Sequence, residues 1–336
     1  MRASFYERNQ RFRIGEAPMP TPAADEALLR VRSVGICGTD LHIFQGHLDH
    51  RIPVGGTIGH EALADVVEAP AASGFRPGER VVVEPLKMCG ACRACRMGAA
   101  YLCYRLRVLG VEEPGGMQEY WAVPTARLLR VPVTLGDDEA AVIEPLAVVT
   151  HDVRRAEVKH GDAVVVLGGG PIGALIAMVA RHRGARVLVS EVNPFRVETM
   201  RKLGLDTVDP EALASRVSAW TDGDGADVVF EVTGNPAAVR VMTSLVRVWG
   251  TVSMVAIHGE SVPVDLYRFF ARELTMHGSR LYSRGDWDEA ISLAATGAVT
   301  LAPLVTRRIP LESLQQGMEE TLRGGPVMKV LIDLAG

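Results

Sequence analysis

The sequence lacks any excess of positive charge. Its 36 Lys and Arg residues are outnumbered by 40 Asp and Glu residues, so the formal net charge is -4 and the pI is about 6.2. A basic surface field is what attracts nucleic acid or an anionic membrane to a protein. We therefore expect neither nucleic acid nor a membrane to be a partner of this chain.

Long apolar segments are absent too. The 336 residues contain no run of about 20 uninterrupted apolar residues, which is the length that spans a bilayer. The first ten residues, MRASFYERNQ, carry charges where a secretory signal would need an apolar core. These absences predict a cytoplasmic protein, in which thiols stay reduced. The five cysteines are accordingly interpreted as metal ligands or free thiols rather than as disulfides.

Repeats, low-complexity tracts and charged tails are also missing, and the chain is long enough for two domains with separate cores. Residues 1–147 contain short apolar or alternating runs, such as 27–31, 64–67 and 80–83, separated by Pro and Gly. Such runs are typical of strands. The sequence therefore predicts a β-rich first domain with few long helices.

The pattern changes after residue 147. Residues 148–282 alternate apolar runs with helical patterns, which predicts a parallel sheet and an α/β domain. Residues 283–336 contain two helix candidates, 287–295 and 311–322, followed by a closing strand. Their short, mixed pattern favours a return of the chain to the first domain.

A glycine-rich turn within 164–173, VVVLGGGPIG, is the most informative stretch of the second domain. Gly168, Gly170 and Gly173 have the G-x-G-x-x-G spacing. In a strand-turn-helix unit the first glycine allows the turn, the second lets the backbone approach a pyrophosphate, and the third lets the helix pack on the strand. The spacing therefore predicts a dinucleotide site at the start of a helix.

The acid at the end of the next strand, Glu191, indicates which dinucleotide binds. Its carboxylate can accept hydrogen bonds from ribose hydroxyls and would repel a 2'-phosphate, so NAD is predicted over NADP. Arg196 favours NADP instead, because arginine can bind a phosphate. The residues predicted to line the cofactor site are Gly168, Gly170, Pro171, Ile172, Gly173, Glu191, Arg196 and Thr233.

Four of the five cysteines, Cys89, Cys92, Cys95 and Cys103, lie within fifteen residues at the spacing C-x2-C-x2-C-x7-C. Four thiolates complete a tetrahedral zinc shell and leave no open position, so a zinc bound there would stabilise the loop rather than catalyse. The alternative is a zinc ribbon that binds nucleic acid, and the acidic composition of the chain argues against it.

The remaining cysteine, Cys37, precedes a second group of possible metal ligands. Taken alone, a single cysteine after an apolar run is more often a small core residue. His60 and Glu61 follow in the sequence GHE, and Glu144 lies in IEPLAVVTH. Imidazole, thiolate and carboxylate are the ligands of a zinc site with an open position. A hydroxyl group at such a zinc loses its proton far more readily.

These motifs together resemble the zinc-dependent medium-chain dehydrogenase/reductase superfamily of the alcohol dehydrogenase type. The segments CGTDLH, GHE, the four-cysteine lobe, EPLAVVTHDVRRA, the glycine loop and PLVTRRIPLE occur in the order typical of that family and cover nearly the whole chain. The resemblance implies a Rossmann doubly wound parallel sheet at 148–282. It also implies a β-rich GroES-like catalytic domain formed by 1–147 and 283–336.

The same resemblance assigns roles to particular residues. It implies that Cys37 and His60 bind a catalytic zinc, with Glu61 or Glu144 as the acidic ligand. Thr39 and His42 resemble the relay that carries the alcohol proton to solvent, a task suited to a hydroxyl and a histidine. The family further implies two zincs per chain, NAD, a small-molecule alcohol substrate and a homo-oligomer, either a dimer or a tetramer.

Within the superfamily, the lobe uses four cysteines and leaves no second cysteine for the catalytic zinc, which points to the sorbitol, threonine and butanediol dehydrogenase branch. The segment EPLAVVTH most resembles the corresponding segment of polyol dehydrogenases. Arg280 and Tyr282, in SRLY, are predicted hydroxyl anchors. The alternatives are L-threonine 3-dehydrogenase or 2,3-butanediol dehydrogenase activity, a zinc-free quinone or enoyl reductase, and a non-catalytic nucleotide-binding protein.

Overall fold

The computed structural model describes residues 1–334. Its strands are β1 (Arg2–Tyr6), β2 (Phe12–Glu16), β3 (Glu26–Gly35), β4 (Glu61–Glu68), β5 (Arg80–Val83), β6 (Leu86–Lys87), β7 (Arg107–Val108), β8 (Tyr120–Pro124), β9 (Leu128–Arg130), β10 (Ala163–Leu167), β11 (Arg186–Ser190), β12 (Asp206–Val208), β13 (Ala226–Glu231), β14 (Val246–Met254), β15 (Thr275–Gly278), β16 (Val305–Pro310) and β17 (Lys329–Asp333). Its α-helices are α1 (Gly38–Phe44), α2 (Arg93–Arg96), α3 (Asp137–Ala140), α4 (Ile143–Arg155), α5 (Pro171–His182), α6 (Pro194–Lys202), α7 (Pro210–Trp220), α8 (Pro236–Met242), α9 (Leu266–Arg272), α10 (Arg284–Ala295) and α11 (Leu314–Leu322).

The chain divides into two compact units. The first unit contains Met1–Pro145 and the chain from Val305 onward, and the second contains Leu146–Leu304. None of the helices within residues 1–334 is long and apolar enough to cross a membrane. The longest of them, α4, has only 13 residues.

A seven-stranded sheet forms the core of the first unit. Its strands follow the order β16-β17-β3-β4-β5-β9, and β8 pairs with β3. Neighbouring strands are antiparallel except β16 and β17, which are parallel. Apolar side chains such as Leu29, Val34 and Leu63 are buried along β3 and β4. The α-helices before residue 143 have at most seven residues, so the predicted β-rich fold is confirmed.

A six-stranded parallel sheet forms the core of the second unit. Its order is β12-β11-β10-β13-β14-β15, and every neighbouring pair is parallel. All five residues of β10 are buried, as expected for a strand covered on both faces. This is the doubly wound order, and the predicted Rossmann sheet is confirmed. Such sheets bind ligands at the carboxyl ends of their strands, where the strand order reverses. Here that point lies between β10 and β13.

The second unit extends further along the chain than the sequence predicts. The prediction returns the chain to the first domain at residue 283, whereas 283–304 belong to the second unit. Asp286 of α10 holds this segment there, because its carboxylate is hydrogen-bonded to the ring of His151 and to Arg154, both on α4. The partners of Asp286 are more than 130 positions away in sequence, so the local pattern around α10 does not indicate which core the helix joins.

Candidate functional site

Three side chains of the first unit meet at one point. The sulfur of Cys37, a ring nitrogen of His60 and a carboxylate oxygen of Glu61 all lie within 4.8 Å of one another. Cys37 caps the N-terminus of α1 just after β3 ends, and Glu61 begins β4. Gly35 at the end of β3 is paired with Glu61 across the two antiparallel strands. The strand pairing therefore brings the sequence segments CGTDLH and GHE together.

Glycine at position 35 leaves the space that the Glu61 carboxylate occupies. A Cβ atom at this position would lie 2.1 Å from Oε2 of Glu61, far inside van der Waals contact. Glycine is the residue that permits so close an approach. Any larger residue at position 35 would displace the carboxylate.

Asp40, which the sequence patterns do not single out, lies behind His60. It is completely buried, its Oδ2 accepts a hydrogen bond of 2.9 Å from the backbone nitrogen of Cys37, and its Oδ1 lies 3.7 Å from Nδ1 of His60. Burial raises the pKa of Asp40 to about 6, and His60 acts in the opposite direction. A histidine held by a carboxylate at one ring nitrogen presents the other nitrogen to a metal, an arrangement common at metal sites.

Lys329 of β17 also lies at this centre, and no sequence motif predicts it. Its Nζ donates to both carboxylate oxygens of Glu61, at 2.9 and 2.7 Å, and to the backbone oxygen of Ile36 at 3.1 Å. Burial works to lower the pKa of Lys329, but the charge of Glu61, followed by that of Cys37, raises it above the ordinary value. The amine therefore stays charged and holds the Glu61 carboxylate.

Glu144 lies outside the group of three ligand atoms that share the 4.8 Å limit within residues 1–334. It is buried near the start of α4, and its negative charge contributes to raising the pKa of His60 and of Lys329. The two predicted acidic ligands thus have different positions. Glu61 lies beside Cys37 and His60 and is paired with Lys329. Glu144 lies outside this group, and its charge contributes to raising the pKa of His60 and of Lys329.

The two predicted relay residues both lie on α1, the helix that begins next to Cys37. Thr39 and His42 are half-buried. Burial, followed by the neighbouring His47, lowers the pKa of His42. A neutral imidazole at this position can accept a proton near neutral pH.

The residues of this centre fit a zinc ion. Nδ1 of His60 and Oδ1 of Asp40 are buried and form no hydrogen bond within residues 1–334, which leaves the ring oriented by a charge rather than by a full hydrogen bond. Thiolate, imidazole and carboxylate are ligands that zinc accepts, and three protein ligands leave a fourth position open.

The four cysteines of the lobe form a second, closed cluster. Their sulfur atoms lie within 4.8 Å of one another, with Sγ–Sγ distances of 3.5 to 4.0 Å from Cys92 to Cys95, from Cys92 to Cys103 and from Cys89 to Cys95. Four ligands about 2.3 Å from a tetrahedral zinc would be roughly 3.8 Å apart. Backbone hydrogen bonds from Ala91 and Cys92 lower the pKa of Cys89 to about 5. The lobe therefore has the geometry of a structural zinc site.

The glycine loop of the second unit joins β10 to α5. Gly168 has φ +109°, a conformation that favours glycine, and a Cβ on Gly173 would lie 1.9 Å from the backbone oxygen of Gly168. Gly170 caps the N-terminus of α5, Pro171 begins the helix and Ile172 follows it, half-buried. Free N–H groups at the start of a helix attract phosphate.

Glu191 lies beside this loop with its carboxylate fixed by backbone groups. Its Oε2 accepts a hydrogen bond from Gly169 at 2.8 Å, and its Oε1 accepts hydrogen bonds from Val192 and Asn193 at 2.7 and 2.8 Å. Arg196 Nη1 is 3.8 Å from Oε2, and the buried Nε of Arg196 has no hydrogen-bond partner within residues 1–334. The two residues with opposite cofactor preferences are thus neighbours.

A further polar group at the carboxyl ends of β13 and β14 is missed by the sequence patterns. Glu231, completely buried at the end of β13, accepts hydrogen bonds from the backbone and hydroxyl of Thr233 and is 2.9 Å from Nε2 of His258. A carboxylate at the end of a buried strand, two residues before Thr233, is the signal that could have indicated it. These hydrogen bonds hold the predicted cofactor residue Thr233 beside Gly168. A Cβ atom added to Gly168 would lie 2.7 Å from Cγ2 of Thr233.

The two predicted substrate anchors have different environments. Tyr282 is completely buried in the second unit and packs edge-on against Trp287, with ring centroids 5.1 Å apart. The role of Tyr282 as a hydroxyl anchor stays a prediction. Arg280 is exposed, and its role stays a prediction.

Two family models match the chain. The model described as "Alcohol dehydrogenase GroES-like domain" matches residues 23–133, and the model described as "Zinc-binding dehydrogenase" matches residues 171–296. The first contains Cys37, His60, Glu61 and the four-cysteine lobe, and the second begins at Pro171 in the glycine loop.

Individual proteins match over nearly their whole length. The chain is 42% identical to 2-dehydro-3-deoxy-L-galactonate 5-dehydrogenase of Pseudoalteromonas atlantica, covering 99% of this chain and 98% of the relative. It is 32% identical to L-threonine 3-dehydrogenase of a Marinomonas species, with 95% of each covered, and 31% identical to sorbitol dehydrogenase of Halalkalibacterium halodurans, with 96% and 95% covered. An NADP-bound structure from Sinorhizobium meliloti superposes with a TM-score of 0.90 at 32% identity, covering 99% of this chain and 98% of the other.

Proposed function

Because the chain belongs to the zinc-dependent medium-chain dehydrogenase family, shown by the two domain matches and the full-length relatives, we propose that it oxidises a secondary alcohol to a ketone with NAD. The substrate is a polyol or a sugar-like compound, and the reaction is reversible. One observation carries this function. The chain combines an open cluster of Cys37, His60 and Glu61 in one unit with a dinucleotide-type glycine loop in the other.

The residues of the first unit have separate roles at the proposed zinc. Cys37 and His60 would hold the zinc, and Asp40 orients the ring of His60. A zinc held there would lower the pKa of an alcohol hydroxyl and so prepare the alcohol to lose a hydride. Lys329 holds the carboxylate of Glu61 at the centre, and Glu144 is the second candidate for the acidic ligand. Thr39 and His42 carry the proton of the hydroxyl away.

The residues of the second unit bind the cofactor. The start of α5, with Gly168, Gly170 and Gly173, would receive the pyrophosphate. Glu191 supports NAD, because its carboxylate can accept hydrogen bonds from ribose hydroxyls and its negative charge would repel a 2'-phosphate. Arg196, next to it, supports NADP as the alternative, and the similar structure from S. meliloti contains NADP.

The relatives support a hydroxyl-rich substrate. The relative from P. atlantica is named as a 5-dehydrogenase of a sugar acid, and the relative from H. halodurans as a sorbitol dehydrogenase. Sugar acids and polyols both present secondary hydroxyl groups in a hydroxyl-rich chain. L-threonine is the alternative substrate, supported by the relative from the Marinomonas species. 2,3-Butanediol is a third possibility from the same branch.

Assembly and metal content complete the proposal. We expect two zincs per chain, one catalytic and one in the lobe, and a cytoplasmic enzyme, since thiolate ligands need a reducing compartment. We also expect a dimer or a tetramer. Large apolar side chains of the second unit, Trp249, Tyr267 and Phe270, are exposed, and exposed apolar groups of this size are typical of contact surfaces.

The proposal is tested by a substrate panel. Purified protein with zinc is supplied with polyols, sugar acids, vicinal diols, simple primary alcohols and L-threonine, and reduced nicotinamide is followed by absorbance. The highest kcat/KM is expected for a polyol or a sugar acid, with NAD favoured over NADP by about tenfold or more. Glu191→Ala should narrow this preference, whereas Glu198→Ala, an exposed acid on α6, should not. Activity on simple primary alcohols alone, or a preference for NADP, would overturn the substrate or cofactor assignment.

A further inference from the structure

Two histidines are in contact at the C-terminal end of α1. His42 lies in the last turn of the helix, and His47 follows it closely in sequence. Their Nδ1 atoms are 3.1 Å apart, and their ring centroids are 5.4 Å apart. Two ring nitrogens at this distance need one donor and one acceptor. In a hydrogen bond between the two rings, one Nδ1 therefore donates and the other accepts.

The way in which α1 ends brings the two rings together. Gly46 has φ +82°, its backbone nitrogen donates to the oxygen of Ile43 at 2.8 Å, and the backbone nitrogen of His47 donates to the oxygen of His42 at 3.0 Å. This is a Schellman motif, in which the residue after the glycine folds back onto the last turn of the helix and commonly makes an apolar contact there. In this chain both contact positions are histidines, so the motif positions an imidazole pair.

Given the alcohol oxidation proposed above, we propose that His47 is the outer member of the proton path, taking from His42 the proton that leaves the substrate hydroxyl and passing it to water. Oxidation of an alcohol to a ketone releases a hydride, which reduces the nicotinamide, and a proton, which has to reach solvent. His42 is half-buried and His47 is exposed. The path therefore ends on a ring that water can reach.

The charges around the pair favour transfer outward. Burial and the neighbouring His47 lower the pKa of His42, so the inner ring gives up its proton readily. Asp49, two residues after His47, is engaged elsewhere, because it accepts a hydrogen bond from the Tyr6 hydroxyl at 2.8 Å and pairs with Arg8 at 2.8 Å. No carboxylate among residues 1–334 is hydrogen-bonded to either ring of the pair.

The first test is kinetic and uses three variants of the zinc-containing enzyme. His47→Gln keeps a polar side chain but removes the imidazole ring, and Gly46→Ala strains the turn that positions the ring. Both should lower kcat for alcohol oxidation at pH 7 by about tenfold, with little change in KM. Added imidazole should restore the rate of His47→Gln. The control His50→Gln, which changes an exposed histidine outside the pair, should behave as the wild type.

The pH dependence gives a readout that a merely structural role would not change. His42 must be neutral to accept the proton, so activity rises with pH through the pKa of His42. Without His47, which lowers that pKa, the rising limb should move to higher pH. Histidine NMR of the zinc-containing enzyme without substrate should show a higher pKa for His42 in His47→Gln than in the wild type.

The outcomes separate the two proposals. Turnover and a His42 titration that are both unchanged in His47→Gln, with no effect of imidazole, would show that the pair only terminates the helix. A wild type that oxidises no alcohol with either nicotinamide would instead overturn the proposed function, and the proton path with it.

Discussion

Buried charges in the first unit are placed against specific partners. Lys329 and Glu61 are both nearly inaccessible to solvent and form two short contacts. Removing one member of such a pair leaves an uncompensated buried charge, at a cost of about 3–5 kcal/mol. The pair therefore fixes the Glu61 carboxylate beside Cys37 and His60 more firmly than packing alone would.

Asp152, on α4 in the second unit, is a buried acid that, in the described part of the chain, is not paired with a cation as Glu61 is. It is completely buried, and neither carboxylate oxygen forms a hydrogen bond of normal geometry within residues 1–334, although the Ser279 hydroxyl is near enough to act on it. Burial raises the pKa of Asp152 to about 7, and the charge of Asp286 adds to the effect. The folded protein therefore binds a proton here that the unfolded chain releases near pH 4.

Replacing Asp152 with Asn should remove a pH-dependent loss of stability. Between about pH 4 and 7 Asp152 holds a proton in the native state that it has lost in the unfolded state, so its contribution to the free energy of unfolding falls as pH rises and levels off above pH 7. Asp152→Asn should raise Tm by several °C at pH 8 and by much less at pH 5.5. Calorimetry at both pH values checks this, with Asp224→Asn, at an exposed position, as the control. Equal shifts at the two pH values would show that Asp152 is not protonated in the fold.

Individual residues differ in how well the sequence predicts them. Cys37 and His60 belong to short motifs whose chemistry is visible in the residue types. Lys329 is 268 positions from Glu61 and lies in an apolar strand, so only the strand pairing shows that they meet. Asp40 follows Cys37 closely, but its complete burial and its position beside His60 do not follow from the local sequence. Tyr282 is a predicted hydroxyl anchor by resemblance alone, and the burial of its ring against Trp287 is not visible in its own sequence neighbours.

Among the structural elements, the cysteine lobe is the most nearly autonomous. It contains its own short helix α2, and its four sulfur atoms are supplied by residues 89–103 alone. Backbone N–H groups donate to these sulfurs, for example from Cys92 to Cys89 and from Arg105 to Cys103, both at 3.3 Å. An element with so little apolar core depends on its metal for folding free energy.

Replacing Cys92 with Ala should therefore act on stability rather than on chemistry. Loss of one of four ligands should release the lobe zinc and lower Tm by about 5–10 °C. Turnover per chain that still holds the catalytic zinc should remain within about threefold of the wild type at 25 °C, because the other cluster keeps its ligands. Metal content by mass spectrometry and thermal melting check the result. An unchanged Tm together with one lost zinc would show that the lobe folds without metal.

Elements with strong local signals were predicted well, and those that depend on distant contacts were not. The strand-turn-helix at the glycine loop follows from β-branched residues, a positive-φ glycine and a helix that ends near Gly184. The side to which α10 packs does not follow from its own residues, because Asp286 finds its partners on α4. The short strand β12 also carries too few apolar residues to be recognised.

At the scale of the whole molecule, the proposed chemistry is divided between the two units. The residues of both candidate zinc sites belong to the first unit, and the glycine loop, Glu191 and Thr233 belong to the second. The chain returns to the first unit only at Val305, and β17 then delivers Lys329 to Glu61. The last strand of the chain thereby completes the metal centre that the first strands begin.

The central claim is that the cluster around Cys37 holds a zinc ion that alcohol oxidation requires. The most direct measurement is zinc per chain by mass spectrometry, with turnover measured on the same sample, for the wild type, Cys37→Ala and Cys92→Ala. The wild type should contain two zincs. Cys37→Ala should lose one zinc and nearly all activity while keeping its fold and the lobe zinc, because the lobe supplies a complete shell of its own. If Cys37→Ala keeps both zincs and its turnover, Cys37 is only a buried thiol and the proposed function is wrong.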